Sequence, residues 1–323
     1  MKRHDTMPML QTQTLTPDAK GIARAVAIWR DGGLVAFPTE TVYGLGADAC
    51  NGQAVARIYQ AKGRPAFNPL IIHVADMATA RRFSVLNETA EILAQTFWPG
   101  PLSLVLPVKP GSGLSELVTA GLDTVAVRLP ENPLAQQLLA AFGGAIAAPS
   151  ANPSGRISPT TAAHVLAGLS GVIDAVMDGG TCGVGLESTI LLPDIENPAL
   201  LRPGGLPVEA IEAALGRPLA SRDDPATPMS PGQLASHYAP RSAVTLNKHA
   251  RPNGALWLGF GPDCAGCDLN LSPNGDLTEA AANLFAHLHS LDDKALPIAV
   301  APIPDHGLGK AINDRLKRAA AAR

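Results

Sequence analysis

Residues 34–46 read Leu34-Val35-Ala36-Phe37-Pro38-Thr39-Glu40-Thr41-Val42-Tyr43-Gly44-Leu45-Gly46. Four apolar residues between Gly33 and Pro38 predict a short buried strand, and the polar, glycine-bearing run after them predicts a loop. On the N-terminal side, Thr16-Pro17-Asp18 predicts a helix start, with Thr16 as N-cap, proline at the first helical position and an acid in the first turn. That helix runs through Ile22, Val26 and Trp29 and stops at Gly32-Gly33. On the C-terminal side a second helix runs from about residue 53 to Gly63, and residues 69–74 read as a strand.

The same alternation continues down the chain. A helix over 88–97 breaks at Trp98-Pro99-Gly100-Pro101, and strands follow at 102–108 and 124–129. Asn132-Pro133 starts a helix that ends at Gly143-Gly144, and the apolar stretch 146–149 leads into a loop at Ser150. Ser158-Pro159 reads as the cap of a helix through Val165 and Leu169; strands at 172–177, 189–192 and 199–202 close the domain. Such a pattern argues for an α/β fold, and turn-length connections between some strands imply mixed strand directions. Residues 216–241 change character: five prolines, Asp223-Asp224 and no amphipathic period make a linker or lid. Beyond it, strands at 243–246, 255–258 and 298–301 with helices at 277–291 and at the end read as a small second α/β domain.

Charge narrows the function. The chain has 25 Lys plus Arg among 323 residues and a formal net charge of −3, so it carries no general basic coat. With aromatics at 4%, a stacking surface for single-stranded nucleic acid is disfavoured. The cysteines at 50, 182, 264 and 267 form no disulfide framework, which fits a reducing compartment. Residues 1–16 lack an apolar core for a secretory signal, and no apolar run is long enough to span a bilayer. A soluble, cytoplasmic protein is expected.

The few cations that matter sit beside turns. Lys62-Gly63-Arg64 ends a helix, Arg128 ends the strand from Thr124, Ser150-Ala151-Asn152 is a loop, and Arg202 precedes Pro203-Gly204-Gly205. Cations set among apolar strands and glycine turns suit a small, highly charged ligand such as a nucleotide. Each also has a plain alternative. Lys62 and Arg64 at a surface helix end offset the helix dipole, His73 on a strand is more often structural, and Ser150 to Gly155 is a turn. By alternation Thr124, Ala126 and Arg128 share one strand face, with Val125, Val127 and Leu129 on the other. No P-loop or complete dinucleotide fingerprint is present. Cys264-Ala265-Gly266-Cys267 lacks a second pair at zinc spacing, so no protein metal site is expected. The basic end from Lys317 reads as a solvated terminus.

Taken together, the loop at 38–46, Lys62-Gly63-Arg64-Pro65, Asn68-Pro69-Leu70, Trp98-Pro99-Gly100-Pro101, Pro149-Ser150-Ala151-Asn152 and Glu187-Ser188-Thr189 occur in an order that resembles the YrdC-type threonylcarbamoyl-AMP synthases. His237-Tyr238-Ala239-Pro240 and the trailing segment resemble the long, two-domain form of that family, although Gln233-Leu234-Ala235-Ser236 departs from the basic or aromatic run usual before the His-Tyr pair. The resemblance implies a YrdC-like twisted mixed sheet with a concave cleft over 17–206, a Pro-rich linker or lid over 207–241, and a Rossmann-like C-terminal domain over 242–323. It implies a nucleotidyltransferase that makes threonylcarbamoyl-AMP and pyrophosphate from L-threonine, bicarbonate or CO2, and ATP with Mg2+. Other proteins then transfer the group to tRNA, which this chain itself is not expected to bind tightly. Lys62, Arg64, Ser150 and Asn152 match the family's cleft tetrad. Thr41, His73, Arg128 and Ser188 match its threonine contacts, and Arg64, Asn68, Thr124, Asn152, Thr160, Arg202 and Tyr238 its ATP contacts. Two rivals stand beside this reading. One is an RNA-binding module using the same concave surface; the other is a hydrogenase-maturation carbamoyltransferase, whose zinc-finger and acylphosphatase-like regions are not seen here.

Overall fold

The computed structural model describes residues 10–221 and 236–322. Strand β1 (Gln13–Leu15) leads into α1 (Ala19–Arg30), β2 (Val35–Phe37), β3 (Gly44–Asp48), α2 (Gly52–Lys62) and β4 (Ile71–His73). Then come α3 (Met77–Phe83), α4 (Glu88–Phe97), β5 (Leu102–Pro107), α5 (Glu116–Thr119), β6 (Thr124–Arg128), α6 (Pro133–Phe142) and β7 (Ile146–Ala147). The first domain continues with α7 (Ala162–Leu169), β8 (Ala175–Met177), β9 (Thr189–Leu192), β10 (Ala199–Arg202), α8 (Val208–Leu215) and β11 (Ala220–Ser221). These strands form one sheet in the order β1-β8-β2-β3-β7-β4-β6-β5-β9-β10-β11, with parallel and antiparallel neighbours mixed as expected.

Local chemistry corrects two helix starts. Asp18, not Thr16, caps α1: its carboxylate accepts from the Gly21 N–H at 2.8 Å, and the Thr16 hydroxyl donates to that carboxylate at 2.7 Å. Thr161, not Ser158, caps α7, because the Ser158 hydroxyl is drawn away to Glu187. The first sheet takes strands from beyond residues 17–206. β1 pairs with β8 upstream of residue 17. Residues 207–221, which the resemblance puts in the linker, form α8 against α4 and β11 against β10. α8 follows Pro207 with no side-chain cap, so it carries no start signal to read. The segment 222–235, most of the expected lid, lies outside the described residues.

Packing makes the concavity. On one sheet face Ala36, Leu45, Ile72, Leu104 and Val127 meet Ile58, Leu93 and Val165 from α2, α4 and α7. On the other, α1 and α6 bring Trp29, Leu138 and Leu139 onto Val35, Phe37 and Ile146. On that second face the helices cover β1, β8, β2 and β7. Further along, Ile71, Ala126, Val105, Ile190 and Leu201 cluster with no helical residue among them. The uncovered half of the face is the floor of a cleft.

The second domain holds β12 (Val244–Thr245), β13 (Leu256–Gly259), β14 (Leu269–Asn270), α9 (Leu277–Asp292), β15 (Ile298–Val300) and α10 (Leu308–Ala320). Its sheet, β12-β15-β13-β14, is parallel throughout, the expected Rossmann-like arrangement. Its core is continuous with Val42, Ile157 and Leu186 of the first domain through Tyr238. At Gly185, with φ of 75°, a Cβ would lie 2.4 Å from the Ala281 carbonyl oxygen, so α9 sits directly on first-domain backbone.

Candidate active site

Strand register assembles the cleft. His73 pairs with Arg128, Arg128 with Ser103, Ser103 with Ile190, and Ile190 with Arg202. Residues paired across a ladder present side chains to the same face, so a row crossing five strands carries His73, Arg128, Ser103 and Arg202, with Ile190 between the last two. Around it stand Thr39, Thr41, Arg64, Ser150, Glu187, Ser188, His237 and Tyr238.

At one end, Arg128 is buried and held by three contacts. It pairs with Glu40 Oε1 at 2.5 Å and donates to Thr41 Oγ1 at 2.8 Å and to the Gly100 carbonyl at 3.3 Å. Thr41 shares a hydrogen bond with Thr39, and Ser188 with Ser103, each at 2.8 Å. Burial, reinforced by Arg128, pushes His73 down to about 3, so its imidazole is neutral. Arg202 donates to the Ser188 carbonyl at 2.8 Å.

The other end holds Lys62 and Arg64. Gly63, at φ 59°, ends α2 in the left-handed conformation and turns the chain so that both side chains go inward. The expected surface position is thus corrected: Lys62 is 4% exposed and Arg64 8%. Lys62 Nζ donates to the carbonyls of Ser150, at 2.6 Å, and Asn152. Arg64 donates to Asn68 Oδ1 at 2.7 Å and to the Pro69 carbonyl at 2.8 Å. All these acceptors are neutral. Burial, and then the neighbouring Arg64, pushes Lys62 well below the ordinary lysine range, and burial lowers Arg64 to about 10. A buried cation without a counter-anion is costly, and an anionic ligand supplies what is missing.

Unpartnered polar atoms mark the same place. Among the described residues, buried side-chain atoms without a hydrogen-bond partner are Glu40 Oε2, His73 Nδ1, Asn152 Oδ1, His237 Nδ1, Tyr238 OH, Arg315 Nη2 and His287 Nδ1. All but His287 belong to the cleft or bond to a residue lining it. Native interiors leave few such groups unsatisfied, so their concentration here points to a ligand-binding site.

Residues 27–204 match the family model described as "Telomere recombination", the Sua5, YciO and YrdC family, and residues 206–321 match "Threonylcarbamoyl-AMP synthase, C-terminal domain". The chain is 42% identical to the threonylcarbamoyl-AMP synthase of Bacillus subtilis, over 97% of this chain and 96% of that one. It belongs to the threonylcarbamoyl-AMP synthase family. The Pyrococcus abyssi synthase is 41% identical over 93% of this chain and 94% of its own. The crystal structure of P. abyssi Sua5 complexed with L-threonine superposes with a TM-score of 0.87, at 38% identity, covering 96% of this chain and 97% of that one. This is therefore an adenylate-forming enzyme of the long, two-domain form. The match of the second domain to a synthase C-terminal domain removes the hydrogenase-maturation alternative, and the family's activity removes the RNA-binding one.

The cleft wall gathers Thr41, Arg64, His73, Arg128, Ser150, Ser188, Arg202 and Tyr238 from the residues matched to the synthases. Lys62, Asn68 and Asn152 stand just behind it, joined through hydrogen bonds to Ser150 and Arg64. Thr124 is not in the wall. It lies on the same face of β6 as Arg128, about 13 Å along the strand at the usual rise per residue. Thr160 is also outside it, buried, with its hydroxyl 3.4 Å from His164 Nδ1. With Ser158 bonded to Glu187 and Thr161 capping α7, it is the hydroxyl of that trio without either task. Sequence reasoning missed Glu40, Glu187 and Arg315. The two acids are quoted in the family motifs, yet an anion-binding cleft gives no reason to expect carboxylates in its wall.

Proposed function

We propose that the row from His73 to Arg202 binds L-threonine at the Arg128 end and ATP along the Arg64, Asn68 and Thr124 side, with Lys62 and Arg64 between them. The observation that carries this reading is the pair of buried cations, Lys62 and Arg64, held among the described residues by neutral acceptors alone. L-Threonine and CO2 or bicarbonate form a carbamate, whose oxygen attacks the α-phosphorus of ATP; the bond to the β-phosphate oxygen breaks and pyrophosphate leaves. Both reactants are anions, so the main barrier is their repulsion, which fixed cations and positioning reduce. Arg128, Thr41, His73 and Ser188 hold the amino acid, with the free Glu40 oxygen able to accept a hydrogen bond from it. Arg202, Asn68, Thr124, Asn152, Thr160 and Tyr238 hold the nucleotide, and Ser150 with Asn152 completes the tetrad.

ATP enters with Mg2+ on its phosphates. No group of three or more His, Cys, Asp or Glu side chains among the described residues is arranged to hold a metal, which is why the proposal keeps the ion with the substrate. His237 and Tyr238 cover the cleft, where exclusion of water protects a labile mixed anhydride. No helix among the described residues is long and apolar enough to cross a membrane. We place the reaction in the cytoplasm, with the adenylate passed to the transferase proteins that modify tRNA. The test is pyrophosphate release from Mg2+-ATP, with threonylcarbamoyl-AMP identified by mass. Both must require L-threonine and bicarbonate together, and L-serine should be the poorer substrate, since a lost methyl is worth about 1 kcal/mol. Pyrophosphate release undiminished without threonine would overturn the assignment.

A further inference from the structure

We propose that Arg315, on the last helix of the second domain, is a positioning residue of the synthase cleft, holding Glu187 and Tyr238 in the arrangement that binds ATP. The inference rests on the reading above and adds to it what the second domain contributes. Arg315 lies near the C-terminus, in sequence 113 positions beyond Arg202, yet it is 1% exposed and reaches the first domain. Its Nε donates to Glu187 Oε2 at 2.8 Å, and Nη1 to Asp314 Oδ2 at 2.6 Å. Its guanidinium carbon stands 4.9 Å from the centroid of the Tyr238 ring, and Phe285 of α9 stacks on the same ring at 5.8 Å.

Tyr238 needs such a hold. Its φ is 60°, a backbone conformation that bulky residues rarely adopt and that persists only when the surroundings impose it. α10 grips the segment a second time, since the His237 N–H donates to the Arg318 carbonyl at 3.3 Å. Glu187, the other residue Arg315 holds, lines the cleft and also accepts from Ser158. Burial disfavours its charge, but Arg315 and then Arg202 outweigh that effect and keep it ionised. His237 lines the cleft together with Arg64 and Arg202, both assigned to the nucleotide. Through Tyr238, Arg315 bears on a residue assigned to ATP, whereas Arg128 and its partners Glu40 and Thr41 are assigned to threonine.

The experiment measures KM for ATP, KM for L-threonine and kcat in full-length Arg315→Met, Arg315→Lys and Arg315→Met/Glu187→Gln, with exposed Lys317→Ala as control. Positioning predicts that Arg315→Met raises KM for ATP at least about tenfold, the loss of one charge-assisted contact, with KM for threonine changed less than about threefold. Arg315→Lys should recover part of that loss. The double variant removes the unpaired buried carboxylate, so it should regain melting temperature without regaining ATP affinity. A purely structural role gives a different pattern: kcat falls with the active fraction, both KM values stay at wild type, and the double variant recovers activity along with stability. That pattern, or wild-type kinetics in Arg315→Met, would overturn the proposal. Absence of product from the wild-type chain would instead overturn the reading on which it rests.

Discussion

Lys62 is the residue at which folding and function pull in opposite directions. Its ammonium is buried on two carbonyls with no carboxylate, a costly placement in the free protein. Replacing it should therefore cost little stability while removing a charge that the proposed reaction uses. Lys62→Met is expected to keep or raise the melting temperature of the ligand-free protein and to lower synthesis by about two to three orders of magnitude, the scale for one preorganised charge contact. Near-wild-type synthesis by this variant would return Lys62 to the role of a helix-end cation. A proton-linked consequence follows from the same burial. The free protein holds Lys62 well below the ordinary lysine range, and an arriving triphosphate favours its charged form. Proton uptake on ATP binding, seen by calorimetry in two buffers of different ionisation enthalpy, should then be smaller in Lys62→Met. Equal uptake by the two proteins would assign the proton to another group.

At the scale of elements, the cleft depends on where turns touch neighbouring backbone. The turn after β10 brings Gly204 against the stretch from Glu187 to Thr189, and a Cβ there would lie 2.3 Å from the Glu187 carbonyl oxygen and 2.4 Å from the Thr189 nitrogen. Backbone cannot rotate aside as a side chain can. Gly204→Ala should thus displace Arg202 and Ser188 together, at a stability loss of about 1–3 kcal/mol, and raise KM for both substrates. Denaturant melts and steady-state kinetics check this; unchanged KM values would show that the turn does not set the cleft. The elements that bear the site were readable because their signals are local. Asn51 caps α2 and Gly63 ends it, Asn132 caps α6, and the alternation from Thr124 to Arg128 placed the arginine opposite Val125 and Val127. α8 has no side-chain cap and β11 is two residues long, and contacts with α4 and β10 hold them.

For the whole molecule, the two domains meet in one buried cluster beside the candidate site. Val42, Ile157 and Leu186 are buried against the second domain, and removing it would expose them. A chain ending at residue 221 is expected to retain the first sheet but to melt lower and to lose most synthesis, because Tyr238 and Arg315 go with the missing part. Circular dichroism melts and pyrophosphate release test this, and full synthesis by the truncated chain would reduce the second domain to a tether. Acid should destabilise the intact protein through its buried neutral imidazoles. Burial holds His73 down to about 3, and burial with the stacked His289 holds His164 down to about 4, each below the unfolded value of 6.5. Between about pH 6.5 and 4 the unfolded chain therefore binds more protons, and stability is lost as pH falls through that window. His164→Gln should flatten the fall in melting temperature there; an unchanged slope would show that other groups govern it.

The sequence by itself determined the α/β class, the order of the main helices and strands, and the group of motifs from which the family could be named. Those are matters of local propensity, of capping and of residues adjacent along the chain. Only the tertiary structure decided that Lys62 and Arg64 are buried rather than solvated, because a helix end looks alike in sequence whether it meets water or the carbonyls of Ser150 and Asn152. Strand register, set by pairing across the sheet, brought His73, Arg128, Ser103 and Arg202 into one row from four separate segments. Arg315 reached Glu187 for the same reason: a contact across 128 positions is made by the packing of two domains, and no spacing or period within a single segment records it.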